Sequence, residues 1–219
     1  MSNYDYEFNE KIHATIINPY LSQEDFEINC ELIKKYNIKN ISTSLNYLGY
    51  LKDSISNLNA KINVFISYPL SDLPLKCIKD LISYAKDNGA EGIEYLPKFF
   101  LLSKNDENSF ANDIDEILNQ DIQVKLIFNH QKLDQVIFKK AINIATEIGV
   151  KNFQLGDGFG SPLNSQDISN IKKLFNSNSF IKVFGGIHKL NQVIELFDLE
   201  INFVGTSNFH NIFEEIKFK

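Results

Sequence analysis

The sequence predicts an α/β fold, a (β/α)8 TIM barrel of parallel strands, and three observations carry that expectation. Eight short runs rich in Ile, Val and Phe recur along the 219 residues. Amphipathic stretches with helical 3.6-residue spacing separate them. Most run starts lie roughly 21 to 30 residues apart, the length of one strand–helix unit.

The runs, in order, are KIHATIIN (11–18), IKNISTS (38–44), KINVFISY (61–68), GAEGIEYL (89–96), IQVKLIF (122–128), VKNFQLG (150–156), FIKVFGG (180–186) and INFVGTS (201–207). Between the first two, SQEDFEINCELIKKYN has the helical period and opens on Ser22 and Asp25, an N-cap pair. DQVIFKKAINIATEIG repeats the pattern before the sixth run. Gly89 and Gly149 stand where C-cap glycines belong, after helices ending near Asn88 and Ile148. Eight units exceed the usual count for an open doubly wound sheet. GDGFG is no dinucleotide fingerprint, because its third glycine, Gly160, comes one position too soon for G-x-G-x-x-G. No linker or low-complexity stretch interrupts the chain, so residues 1–219 are read as one barrel domain.

Composition narrows the function classes. A formal net charge of −6 and a pI near 5.3 argue against a nucleic-acid surface. The sequence contains no arginine, so no bidentate guanidinium clamps a phosphate, and backbone amides or Lys must do that work. Cys30 and Cys77 both fall in helical patterns and read as free thiols of a reducing compartment. MSNYDYEFNEKIH is acidic and lacks an apolar signal region, and no apolar run approaches the roughly 18 residues of a membrane span. These features predict a cytoplasmic protein without membrane or nucleic-acid partners. A homodimer is compatible with them.

In a barrel of this kind the site lies at the C-terminal strand ends. Three stretches there suit an anion: GDGFG after run six, FGGIH after run seven and VGTSNF after run eight. Their glycines expose backbone N–H groups, and a helix after Gly205–Asn208 aims its N-terminus at the same place. The plainer alternative is that each glycine only makes a tight turn. Lys125, in the middle of VKLIF, is read as an outward lysine snorkelling between helices. His13, Glu94, His130, Asp157 and His188 are placed near the barrel mouth, which invites a metal reading, but they form no tight ligand motif, so no metal or other cofactor is expected.

Together IHATIINP, ISYPLS, GAEGIEYL, VKLIFN, VKNFQLGDGFG, IKVFGGIH and VGTSNF, from about residue 11 to 210, resemble the deoxyribose-phosphate aldolases in order and spacing. The C-terminal third is the most specific part, where IKVFGGI and VGTSN are similar to the family's V-K-A-S-G-G-I and I-G-T-S-S. The resemblance implies a (β/α)8 barrel that cleaves 2-deoxyribose 5-phosphate to acetaldehyde and glyceraldehyde 3-phosphate through a lysine Schiff base. It also implies roles for particular positions. Gln154 stands where the family's K-T-S-T-G-F carries the Schiff-base lysine, and a carboxamide forms no imine. Lys182 matches the second lysine, and Glu94 matches the strand-four aspartate of the proton relay. His13 replaces the strand-one aspartate, with Thr15 retained; Ser42 takes the strand-two cysteine position and Asn129 the strand-five glutamate. Gly185, Gly186 and Ser207 match phosphate contacts, Asn208 replaces a second Ser, and Gly158, Gly205 and His188 join the same candidate site.

Three readings follow. One is a diverged aldolase acting on a small phosphorylated substrate, with Lys182 in the imine role. Another is a catalytically silent barrel that binds a sugar phosphate as a sensor or partner subunit. The third is a lyase or isomerase using Glu94 and His13 as acid and base without an imine.

Overall fold

The computed structural model describes residues 7–159 and 164–217. Gly160 and the acidic stretch at 1–6 lie outside the described residues. Eight parallel strands close in sequence order: β1 Ile12–Ile16, β2 Asn40–Thr43, β3 Lys61–Ile66, β4 Gly92–Tyr95, β5 Gln123–Phe128, β6 Asn152–Leu155, β7 Phe180–Phe184 and β8 Phe203–Thr206. β8 pairs back onto β1, with Gly205 opposite His13. All eight predicted runs therefore become neighbouring strands of one barrel.

The helices are α1 Phe8–Lys11, α2 Gln23–Lys35, α3 Leu45–Ser54, α4 Leu75–Asp87, α5 Phe100–Ser103, α6 Glu107–Leu118, α7 Gln135–Glu147, α8 Ser165–Lys172, α9 Leu190–Asp198 and α10 Phe209–Lys217. The local signals act as read. Ser22 caps α2 by accepting the Asp25 N–H at 3.1 Å, and Asp134 caps α7 through Val136 and Ile137. Asn88 and Ile148 are the C-cap residues of α4 and α7, each followed by its glycine. Among the described residues no helix is long and apolar enough to cross a membrane. Cys30 is buried in α2, Cys77 is exposed on α4, and both are free thiols.

The strands bury both faces, as parallel strands covered by helices must. Ile12, Ala14 and Ile16 of β1, and Val124, Leu126 and Phe128 of β5, join the large apolar core between the sheet and its helices. The opposite face points into the barrel. There the register stacks three layers of four residues, drawn alternately from odd and even strands. His13, Asn63, Lys125 and Lys182 form the lowest layer, Ser42, Glu94, Gln154 and Gly205 the middle one, and Thr15, Phe65, Ile127 and Phe184 the uppermost. The interior is thus polar below and apolar at the mouth, where Phe65, Ile127 and Phe184 make a second, separate hydrophobic cluster.

Candidate functional site

The lower two layers hold a contiguous polar cluster. β4 and β7 are not neighbouring strands, so a contact between them has to cross the barrel. Lys182 Nζ makes that contact, 2.7 Å from Glu94 Oε1, with both side chains fully buried. Ser42 Oγ ties the pair together, donating to Glu94 Oε1 at 2.8 Å and accepting from Lys182 Nζ at 2.9 Å. His13 Nδ1 stands 3.5 Å from the same hydroxyl.

Lys125 corrects the sequence reading. It is buried and turns inward, its Nζ 3.4 Å from Glu94 Oε1. The reason is parity: Val124, Leu126 and Phe128 take the helix-facing side of β5, which leaves Lys125 to the interior. The same period-two argument, applied to VKLIF, was the available signal.

Two cations around one carboxylate decide the protonation states. Burial alone would raise the Glu94 carboxyl, but Lys182 and Lys125 outweigh it and hold the group below the ordinary carboxylate range. Burial pulls the Lys182 ammonium down to about 7 against the upward pull of Glu94, and Lys125 adds to the lowering. Burial, then the two lysines, keep His13 well below its ordinary value, so its imidazole is neutral. The interior therefore combines an ionised carboxylate with an amine close to the free-base state, the form that attacks a carbonyl.

Gln154 is fully buried on β6, directly beside Lys182 in the register. Its Nε2 donates to the Gly156 carbonyl at 3.2 Å. Its Oε1 has no hydrogen-bond partner among the described residues, and the same holds for Glu94 Oε2 and His13 Nε2. Thr15 is buried above them, its hydroxyl donating to the His13 carbonyl at 3.4 Å rather than to the Lys182–Glu94 pair. Asn129 is a turn residue: its Oδ1 accepts the Gln131 N–H at 2.9 Å.

At the mouth lies a cavity of about 300 Å³. Gly158, Gly185, Gly186, His188, Gly205 and Ser207 line it, together with Phe184. Residues from the three predicted glycine loops thus meet around one space. Asn208 stands beside it, its Nδ2 against His188 Nδ1, while its backbone N–H is taken by Thr206 Oγ1 at 2.9 Å. His188 and Ser207 are exposed at the rim.

The remaining acidic and imidazole groups stay apart from this cavity. Asp157 pairs with Lys132 at 2.8 Å, and His130 packs edge-on against Phe138. Among the described residues no group of three or more His, Cys, Asp or Glu is placed to hold a metal ion.

Two glycines have steric roles that the sequence did not disclose. A Cβ on Gly205 would stand 2.5 Å from Lys182 Cε and 3.1 Å from Phe184 Cδ2, so this gap lets the lysine stem rise from the lowest layer. A Cβ on Gly158 would stand 2.7 Å from Phe184 Cε1. Phe184 and Phe65, which sequence reasoning did not single out, lie over Lys182 Nζ, 5.5 Å and 5.7 Å from it to the ring centroids.

No family model matches the chain. Among curated proteins it is similar to the deoxyribose-phosphate aldolase of Thermococcus kodakarensis, 25% identical over 204 residues, covering 90% of this chain and 91% of that protein. The corresponding aldolase of Gloeobacter violaceus is 21% identical over 205 residues, covering 93% and 91%. Among solved structures, QR15, an aldolase, superposes with a TM-score of 0.89 at 19% identity, covering 97% of this chain and 96% of that one. The tetrameric deoxyribose-phosphate aldolase of Aeropyrum pernix gives 0.82 at 17% identity, covering 94% and 89%.

Proposed function

The chain belongs to the deoxyribose-phosphate aldolase family, and from that premise we propose that it binds a small phosphorylated ligand, a sugar phosphate or aldehyde phosphate, at the barrel mouth. The observation that carries this reading is the 300 Å³ cavity lined by Gly158, Gly185, Gly186, Gly205 and Ser207. A space of that size suits a phosphate monoester with a short carbon chain. Without arginine, recognition falls to backbone amides and to the N-terminus of α10 directly after Ser207 and Asn208. The setting we propose is cytoplasmic, in keeping with the two free thiols.

A second reading, carbon–carbon cleavage through Lys182, is favoured by one observation: the amine is held near 7 by burial and hydrogen-bonded to Glu94. In that chemistry the amine lone pair adds to the aldehyde carbon, the nitrogen passes one proton to the oxygen, a second proton reaches that oxygen, and water leaves to give the iminium. The C3 hydroxyl then loses its proton as its O–H electrons form the new carbonyl. The C2–C3 electrons pass into the iminium, and the resulting enamine is protonated at C2 and hydrolysed. Gln154 has no part as a nucleophile in this scheme.

Calorimetric titration with glycerol 3-phosphate, with glycerol as the control, tests the first reading. Binding of the ester and not of glycerol is expected, with an affinity that falls as salt rises. No binding at millimolar ester sinks it. For the second reading, turnover of 2-deoxyribose 5-phosphate abolished by Lys182→Ala supports cleavage through Lys182, whereas turnover that survives this change rules Lys182 out as nucleophile.

A further inference from the structure

Between the mouth cavity and the amine stands one side chain. Phe184 lines the floor of the cavity and is buried, while Lys182 is fully buried below it. The uppermost layer of the barrel is otherwise Phe65, Ile127 and Thr15, all buried, so the ring stands among side chains that are themselves covered. Phe184 is also fitted to its place on two sides. Gly158 leaves room for one edge of the ring, and Gly205 leaves room for the other edge and for the Lys182 stem. Its ring packs on Phe65 at 5.9 Å, and Phe65 packs on Tyr68 at 4.7 Å. Tyr68 is anchored in turn by its hydroxyl, which donates to the Asp157 carbonyl at 2.6 Å. The cover therefore runs from β7 across to the loop after β6.

We infer that Phe184 is the specificity residue of the mouth site: it stops a phosphorylated ligand at the phosphate cavity and keeps the ligand's carbonyl from Lys182. This rests on the phosphate reading for the ligand class, while the occlusion of Lys182 stands on the packing alone and sets the cleavage reading aside for the wild-type protein. It follows that the protein recognises the phosphate ester without reading the carbonyl. An aldehyde phosphate and the matching alcohol phosphate bind alike, because the group that would tell them apart lies behind an aromatic ring.

The test compares wild type with Phe184→Ala, and with Phe184→Leu as the milder opening should the alanine variant fail to fold. Each is titrated with glyceraldehyde 3-phosphate and glycerol 3-phosphate. Each is also treated with borohydride in the presence of acetaldehyde, which needs no phosphate site, followed by peptide mapping. Wild type should bind the two esters within about threefold and yield no adduct at Lys182, while Phe184→Ala should favour the aldehyde by at least about tenfold. That variant should also trap acetaldehyde at Lys182, and adding Lys182→Met should remove the adduct. Equal trapping at Lys182 in wild type and variant overturns the inference, as does a folded Phe184→Ala protein with no adduct. If neither ester binds to any form yet acetaldehyde is trapped only in the variant, the phosphate reading fails and the occlusion stands.

Discussion

In the barrel interior, Lys182, Glu94, Ser42 and His13 meet side chain to side chain from β7, β4, β2 and β1, in full burial. At the mouth, Gly158, Gly185, Gly186 and Gly205 present mainly backbone around an accessible cavity. The first region depends on which atoms each residue carries and on their burial. The second depends on chain conformation, which glycine supplies whatever surrounds it. An interior amine with a carboxylate beside it is chemically competent only if substrate reaches it, whereas a backbone cradle at the surface is reachable by construction. On the proposed reading the two regions separate the capacity for chemistry from the capacity to bind, with Phe184 between them.

Four measurements would break or sharpen that contrast. The largest effect is expected from Lys182→Met, which leaves Glu94 buried with only Lys125 and Ser42 as partners. Breaking a buried pair from one side costs about 3–5 kcal/mol, read from the urea midpoint, and a loss below about 1 kcal/mol would deny the interior its electrostatic coupling.

Gly185→Ala comes next and acts on the mouth. Gly185 has φ +114°, and an added Cβ would lie 3.2 Å from the Gly158 backbone. Backbone strain of about 1–3 kcal/mol and a roughly tenfold loss of glycerol 3-phosphate affinity are expected, because the two loops must separate. Unchanged affinity in a folded variant would remove Gly185 from the cradle.

The third effect is a pH dependence confined to the interior. Lys182 titrates near 7 in the folded protein against 10.5 for the unperturbed group. The unfolded chain binds that proton more tightly, so stability should climb between about pH 7 and 10.5, by about 1.4 kcal/mol per pH unit at most. Glu94 works at the other end. Its folded value is lowered, so its contribution is present above the ordinary carboxylate value and is lost as pH falls through the folded one. Urea titrations over that range should show the upper slope in wild type and not in Lys182→Met; a slope surviving the change would assign it to another group.

His188→Ala should do least. The side chain is exposed at the cavity rim, so glycerol 3-phosphate affinity should fall by no more than about threefold, the scale of a screened surface interaction. A loss of about thirtyfold or more would make His188 a central anchor and the cradle less of a backbone device.

The sequence by itself determined the eight strands, their order along the chain, the Ser22 cap and the helix ends at Asn88 and Ile148, because each is written in residues a few positions apart. It also placed Gln154, Lys182 and Glu94 at the right strands. The tertiary structure alone decided what these side chains meet. Ser42 touches Glu94 from 52 positions away, and Lys182 reaches Glu94 from 88 away. The layers that bring them together are set by the stagger of a closed sheet. The inward turn of Lys125 was legible in principle from the parity of Val124, Leu126 and Phe128, yet its carboxylate partner was not. The aromatic cover was not legible at all: Phe65 and Phe184 belong to runs more than a hundred residues apart, and each reads locally as one more apolar strand residue. Only closing the barrel puts both rings over one amine, with Gly158 and Gly205 leaving the space that holds Phe184 there.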